Sequence, residues 1–117
     1  MARGLYIPDR GDFVWIDVDP QKRREQAGRR PALVLSQHAY NRKTGLCVIC
    51  PATSRSKGYQ FEVPNPDADD RQTVILVDQM RCVDWRQRPL RFMHRVADKV
   101  LEEAVDKLDA FLINPDA

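Results

Sequence analysis

The chain has 117 residues, 43% of them hydrophobic and 31% charged, with a formal net charge of +2. That length suits one domain, expected to span residues 1–117, and the composition is ordinary for a soluble globular protein. No apolar run is long enough to cross a membrane. Met1-Ala2-Arg3-Gly4 does not lead into the apolar core of a signal peptide, so a cytoplasmic location is expected.

The charge is unevenly placed. Lys22, Arg23, Arg24, Arg29 and Arg30 face only Glu25 within residues 21–30, a local balance of +4. Arg81, Arg86, Arg88, Arg91 and Arg95 face only Asp84 within residues 80–95, again +4. The side chains of residues 98–117 sum to −4. Two basic segments and an acidic tail suggest one side that meets a polyanion and a solvated far side.

Taken in order, Phe13–Val18 reads as a first strand, with Val14, Ile16 and Val18 on one face and Phe13, Trp15 and Asp17 on the other. A basic loop follows over residues 21–30. Gly28 permits a turn there, and Pro31 pushes Arg30 into extended backbone at the mouth of a second strand, Ala32–Ser36. The continuous apolar character of that strand predicts burial on both faces. Residues 39–45 suggest a short turn or a single helical turn. Leu46–Cys50 is a third strand, closed by Pro51. It carries Cys47 and Cys50, which three-residue spacing puts on opposite faces of a strand. Neither a second Cys pair nor paired histidines supply further zinc ligands, so these are read as small strand residues, with no metal site. With Cys82 the total is three, an odd number that gives no disulfide framework.

Tyr59–Val63 alternates Tyr59, Phe61 and Val63 against Gln60 and Glu62, the pattern of a half-exposed fourth strand. Thr73–Val77, the most β-branched run, is expected to be a central strand. Met80–Trp85 and Phe92–Val96 are two further strands, separated by a basic loop over residues 86–91. Beyond them Ala97, Val100, Leu101, Ala104, Val105, Leu108, Phe111 and Leu112 recur at helical spacing, with Asp98 in the first turn and Asn114-Pro115 as a stop. The expected architecture is mainly β, five to seven short strands with one C-terminal α-helix packed on them. Strands this short favour a small barrel over an open parallel sheet.

Several motifs combine into one pattern. Pro8-Asp9, Gly11-Asp12, Val14-Trp15, Asp17 and Asp19-Pro20 precede the loop Glu25-Gln26-Ala27-Gly28-Arg29-Arg30-Pro31. Val34-Leu35-Ser36, Tyr40-Asn41, Lys43-Thr44-Gly45, Pro51, Thr53, Ser56-Lys57-Gly58-Tyr59, Asp78-Gln79 and Trp85 follow it. In this pattern the chain resembles the MazF/PemK (Kid) family of toxin endoribonucleases, from about Ile7 to the C-terminal helix. The resemblance implies a small SH3-like barrel of the MazF/PemK/CcdB kind in a homodimer. It also implies sequence-selective, metal-independent cleavage of single-stranded RNA, with mRNA as target, and neutralisation by a cognate MazE-like antitoxin whose acidic segment lies over the RNA site. No cofactor is expected. Two positions depart from the family pattern: Arg23 stands where many members have Gly, and Leu76 where the Kid branch has Arg.

By the same resemblance Arg30 and Thr53 carry the reaction and Glu25 assists. RNA is cut without metal when its own 2′-OH attacks the adjacent phosphorus, leaving a 2′,3′-cyclic phosphate and a 5′-OH. The rigid fork of a guanidinium matches phosphate oxygens, which suits Arg30 to stabilising the pentavalent oxyanion. Its pKa, above ~12, makes it a poor base and fits it better to stabilise charge or donate a proton, so Glu25 is preferred over Arg30 as general base. The other reading of Glu25 is a structural ion pair with Arg29 or Arg30. Thr53 can donate a hydrogen bond to a phosphate oxygen, or cap its loop. Trp15, Asp17, Gln26, Arg29, Arg55, Lys57, Asp78, Gln79 and Arg86 form the expected RNA-binding set, with Trp15 offering a base-stacking surface. Trp85 is read as a core residue, and His38 and His94 as surface or packing residues. Two other readings stand beside the ribonuclease: a non-enzymatic CcdB-like toxin that binds a protein target such as gyrase, and an RNA-binding barrel without catalysis.

Overall fold

The structure, a computed structural model, describes residues 6–18, 28–68 and 73–114. Among the described residues, seven strands and two α-helices follow in the order β1 (Asp12–Val18), β2 (Gly28–Val34), α1 (His38–Thr44), β3 (Leu46–Thr53), β4 (Glu62–Pro64), β5 (Val74–Leu76), a 3-10 turn over Val77–Gln79, β6 (Arg81–Asp84), β7 (Leu90–Arg95) and α2 (Asp98–Leu112). The strands run in the order β4-β5-β3-β2-β1-β7, with β6 also on β3, and every pairing is antiparallel.

The long strand β3 organises this topology. Its first half pairs with β6, from Leu46↔Asp84 to Ile49↔Arg81, and its last two residues pair with β5 through Ala52↔Ile75 and Thr53↔Val74. One strand thereby serves two ladders on the same edge, and the sheet curls around it. The result is a mostly β fold with a C-terminal α-helix and a barrel-like topology.

Two apolar clusters lie on the two faces, as the two-residue period of a strand requires. Phe13, Leu33, Cys50, Val63, Ile75 and Val77 pack with Val100 and Ala104 of α2. Val14, Ile16, Ala32, Val34, Cys47, Ile49, Val83, Trp85 and Leu90 form the other cluster. Burial on both faces of β2 matches its unbroken apolar run, and Cys47 and Cys50 do fall in different clusters. Full burial of a side chain such as Val100 is worth about 1.5–3 kcal/mol.

Asn41, Trp85 and Asp12 find partners for their buried polar groups. Asn41, fully buried, donates from Nδ2 to the carbonyls of Pro8 (2.7 Å) and Ser36 (3.0 Å) and accepts from the Ser36 hydroxyl (2.6 Å). The Asn41 carbonyl accepts the indole N–H of Trp85 at 2.9 Å, so Trp85 is a core residue as expected. The buried Asp12 carboxylate accepts from Arg95 (2.9 Å), the Asp9 backbone N–H (3.0 Å) and the Tyr6 hydroxyl.

Several boundaries differ from the sequence expectation. β2 begins at Gly28, not Ala32, so Arg29, Arg30 and Pro31 belong to the strand, paired with Asp17, Ile16 and Trp15. β3 runs through Pro51 to Thr53. Its ladder with β2 ends at Ala32↔Pro51, where a missing N–H is tolerated. α1 is a seven-residue α-helix closed by Gly45 at φ +78°, longer than a single turn. β7 starts two residues early, at Leu90.

The largest difference lies at β4. Tyr59–Val63 was expected as a strand with Glu62 on its exposed face; only Glu62–Pro64 is strand, and Glu62 is buried while Tyr59 is exposed. The segment before Glu62 is a turn instead, with the Glu62 N–H bonded to the Tyr59 carbonyl at 3.1 Å. The reason is the Glu62 carboxylate, which gathers the loop in front of it.

Candidate active site

Arg30 and Thr53 come to one site from neighbouring strands. β2 and β3 pair through Val34↔Ile49, Leu33↔Cys50 and Ala32↔Pro51, where their ladder ends. Arg30 and Thr53 lie just beyond that end, Arg30 on β2 and Thr53 as the last residue of β3. Both side chains line an open cleft of about 520 Å³, whose other walls are Arg55, Lys57, Tyr59, Glu62, Leu76, Asp78 and Gln79. Arg55, Lys57 and Tyr59 come from the loop between β3 and β4. Asp78 and Gln79 come from the 3-10 turn after β5.

Three cations, Arg30, Arg55 and Lys57, thus meet two carboxylates, Glu62 and Asp78. Both carboxylates accept hydrogen bonds from within the protein. Glu62 accepts hydrogen bonds from the Ser56 hydroxyl (2.7 Å), the Lys57 N–H (2.8 Å) and the Gly58 N–H (3.2 Å). The Ser56 hydroxyl first, and then the Lys57 amide, hold its carboxyl below the usual carboxylate value. Asp78 accepts the Tyr59 hydroxyl through Oδ2 at 2.5 Å. That bond raises the phenol of Tyr59 above its ordinary value. The second Asp78 oxygen, Oδ1, is buried and has no partner among the described residues. With both carboxylates hydrogen-bonded to the protein and three cations lining it, the cleft suits a phosphodiester.

Thr53 Oγ1 accepts the Arg55 N–H at 3.1 Å, the loop-capping role weighed for it from sequence. That bond uses a lone pair and leaves the hydroxyl hydrogen available to an anion in the cleft. Leu76 is an apolar wall where the Kid branch has Arg.

Of the residues expected from sequence, Arg30, Thr53, Arg55, Lys57, Asp78 and Gln79 meet in the cleft. Glu25 and Gln26 lie outside the described residues. Trp15 lies elsewhere, lining a small cavity of about 80 Å³ with His94, Met93 and Pro31. The Arg29 guanidinium sits 5.7 Å from the Trp15 ring, and Arg29 pairs with Asp17 across β1 and β2, so these three form a group of their own. Arg86 is away from the cleft. It covers the Trp85 ring at 5.2 Å and donates to the Arg42 carbonyl at 2.8 Å, fastening α1 to the β6–β7 turn. His94 stacks on Phe13 at 5.2 Å, and His38 is exposed at the start of α1, in keeping with packing and surface roles. Tyr59 and Glu62 were not picked out as site residues. The signal for them was the Ser-Lys-Gly-Tyr run with an acid four residues after its Gly, which alternation disguised as a strand. Among the described residues no cluster of His, Cys, Asp or Glu could hold a metal ion, and no helix is long and apolar enough to cross a membrane.

The mostly β fold with a C-terminal helix matches the topology of the MazF-type toxins. Comparison with known proteins agrees. Residues 9–112 match the family described as the PemK-like, MazF-like toxin of type II toxin–antitoxin systems, and the chain belongs to that family. It is 44% identical over 107 residues to the endoribonuclease toxin MazF of Escherichia coli K12, covering 92% of this chain and 96% of that protein. It is 38% identical over 109 residues to the endoribonuclease toxin ChpB of the same strain, covering 87% and 91% of the two chains. Among solved structures it is similar to MazE–MazF from Deinococcus radiodurans, with a TM-score of 0.82 and 48% identity over 92% of this chain and 96% of that one.

Proposed function

We propose that this toxin is a metal-independent endoribonuclease that cuts single-stranded RNA, mRNA in the cell, at selected sequences and so arrests translation and growth. The observation that carries the reading is the meeting of Arg30 and Thr53 in one cleft that Arg55 and Lys57 also line. The relatives named MazF and ChpB are endoribonucleases, which supports the same reading.

In this mechanism the 2′-oxygen attacks the neighbouring phosphorus. The new 2′-O–P bond forms as the P–5′-O bond breaks, so the products are a 2′,3′-cyclic phosphate and a 5′-OH. The 2′-OH proton passes to a base, for which Glu25 is the candidate, and the departing 5′-oxygen takes up a proton. Arg30 holds the non-bridging oxygens as charge builds on them, and the Thr53 hydroxyl donates one further hydrogen bond. Because the substrate supplies its own nucleophile, no metal-bound water is required. Stabilisation of this kind is often the largest single term, and loss of one such donor costs about 10²–10³-fold in rate. Arg55, Lys57, Asp78 and Gln79 would hold the strand on either side of the scissile bond, with Trp15, Asp17, Gln26, Arg29 and Arg86 as outlying contacts. We assign the curled sheet to the SH3-like barrels, and the working form to a cytoplasmic homodimer held in check by a MazE-like antitoxin.

The test is direct. The purified protein is incubated with a long single-stranded RNA in EDTA, beside Arg30→Ala. Discrete cleavage that is lost in the variant is the expected result; intact RNA, or equal cleavage by both proteins, refutes the reading.

A further inference from the structure

A carboxylate is an odd wall for a phosphate-binding cleft, and Glu62 is odder still for being buried where its sequence pattern pointed to solvent. Its surroundings explain it. The backbone N–H groups of Lys57 and Gly58 are consecutive, and Gly58 sits at φ +69°. Successive N–H groups turned to one side in this way make a concave donor site of the kind that captures anions. Here the chain fills that site itself: Glu62 Oε2 takes the Lys57 N–H, and Oε1 takes the Gly58 N–H together with the Ser56 hydroxyl.

The consequence is geometric. Both carboxylate oxygens are used to hold three successive residues, and the residues on either side of that grip, Arg55 and Tyr59, line the cleft with Lys57. The grip is anchored in turn. Glu62 is the first residue of β4, in register with Leu76 of β5. Its carbonyl accepts the Lys107 ammonium at 3.0 Å, and Lys107 pairs with Glu103 at 2.9 Å on α2. The loop is therefore tied at its middle to the sheet and the helix and not only at its ends.

We infer that Glu62 is a positioning residue for RNA cleavage: its carboxylate clamps the Ser56–Gly58 loop so that Arg55, Lys57 and Tyr59 are presented to the bound strand, without itself touching RNA. The inference rests on the ribonuclease reading, but the clamp can be tested without it. A freed loop still carries its charges, so the cost falls on binding the strand in register and not on the step at phosphorus.

Glu62→Gln is the discriminating variant, because the amide keeps one acceptor and turns an N–H₂ toward groups that are themselves donors. Amide hydrogen exchange of the full-length protein is expected to speed up at Lys57 and Gly58 by about 10-fold or more, while exchange in β3 and α2 is unchanged. With an oligonucleotide spanning a site that the wild-type protein cuts, KM should rise roughly 5–10-fold and kcat change less than about 2-fold. Ser56→Ala, which removes one of the three donors, should shift both readouts the same way by a smaller factor. Lys57→Ala should cost less in the Glu62→Gln background than in the wild type, since the two act through one loop.

Unchanged exchange at Lys57 and Gly58 in both single variants overturns the clamp whatever the activity. A lower kcat at constant KM marks a loss of folded protein only and overturns the positioning role. If the wild-type protein itself cuts no RNA, the cleavage reading fails, while the exchange result still decides whether the clamp exists.

Discussion

The hydroxyl of Tyr59 donates a 2.5 Å hydrogen bond to Oδ2 of Asp78, joining the loop after β3 to the turn after β5 across the mouth of the cleft. The resemblance to the Kid branch implies Arg at position 76. Here it is Leu76, and the Asp finds a phenol instead. A neutral donor fixes the carboxylate without cancelling its charge. Tyr59→Phe removes the bond and keeps the ring. It should leave the melting temperature unchanged, because Tyr59 is exposed, and lower kcat/KM by about 3–10-fold. Cleavage kinetics beside a thermal melt check this; an equal loss in both would mark Tyr59 as merely structural.

The thiols give a prediction about packing. Burial pushes Cys47 and Cys50 up to about 12, while Cys82 is exposed. At neutral pH both buried thiols are protonated and shielded, and so inert. A thiol-reactive dye should titrate one cysteine in the native protein and three after denaturation. Rapid reaction of a second thiol in the native state would contradict the assignment of Cys47 and Cys50 to opposite cores.

Asn41 ties the N-terminal segment, the end of β2 and α1 together, and its carbonyl also holds Trp85. Asn41→Leu leaves the Pro8 and Ser36 carbonyls without their buried donor. It should destabilise the protein by about 2–4 kcal/mol, read by urea unfolding. The RNA-cleaving activity of the folded fraction should be unaltered, since Asn41 is remote from the cleft.

The clamp carries a pH signature. In the folded protein the Glu62 carboxyl titrates below its ordinary 4.5, because Ser56 and the loop amides favour its charged form. The stabilisation this brings is present above the ordinary value and is lost as pH falls through the lower folded-state value. Protection of the Lys57 amide, corrected for intrinsic exchange, should stay level from about pH 7 to about pH 5 and decline only in stronger acid. A decline centred near neutrality would point to a different group.

Much of this was legible in the residues. The alternation of residues 13–18, the apolar run of β2, the helical spacing of α2 and the separation of Cys47 from Cys50 all follow from local periods that tertiary packing kept. Arg30 and Thr53 were singled out through the family pattern, and the fold brings both to one cleft. What was hidden was long-range. That β2 extends back through Arg29 and Pro31 depends on pairing with β1, which no local rule foretells at a proline. That Glu62 turns inward depends on a loop that bends back to meet it. That Arg86 covers Trp85 and donates to the Arg42 carbonyl, forty-four residues away in sequence, has no local signal either.

The central claim is that Arg30 and Thr53 stabilise the attack of a 2′-oxygen on the adjacent phosphorus. It is tested most directly by chemical mapping of the ends of a single-stranded RNA cut in EDTA by the wild-type protein, Arg30→Ala and Thr53→Ala. The account predicts 2′,3′-cyclic phosphate and 5′-OH ends from the wild type, a loss of about 10²-fold or more in Arg30→Ala and a smaller loss in Thr53→Ala. Fragments ending in 3′-OH and 5′-phosphate, or undiminished cleavage by Arg30→Ala, would contradict it.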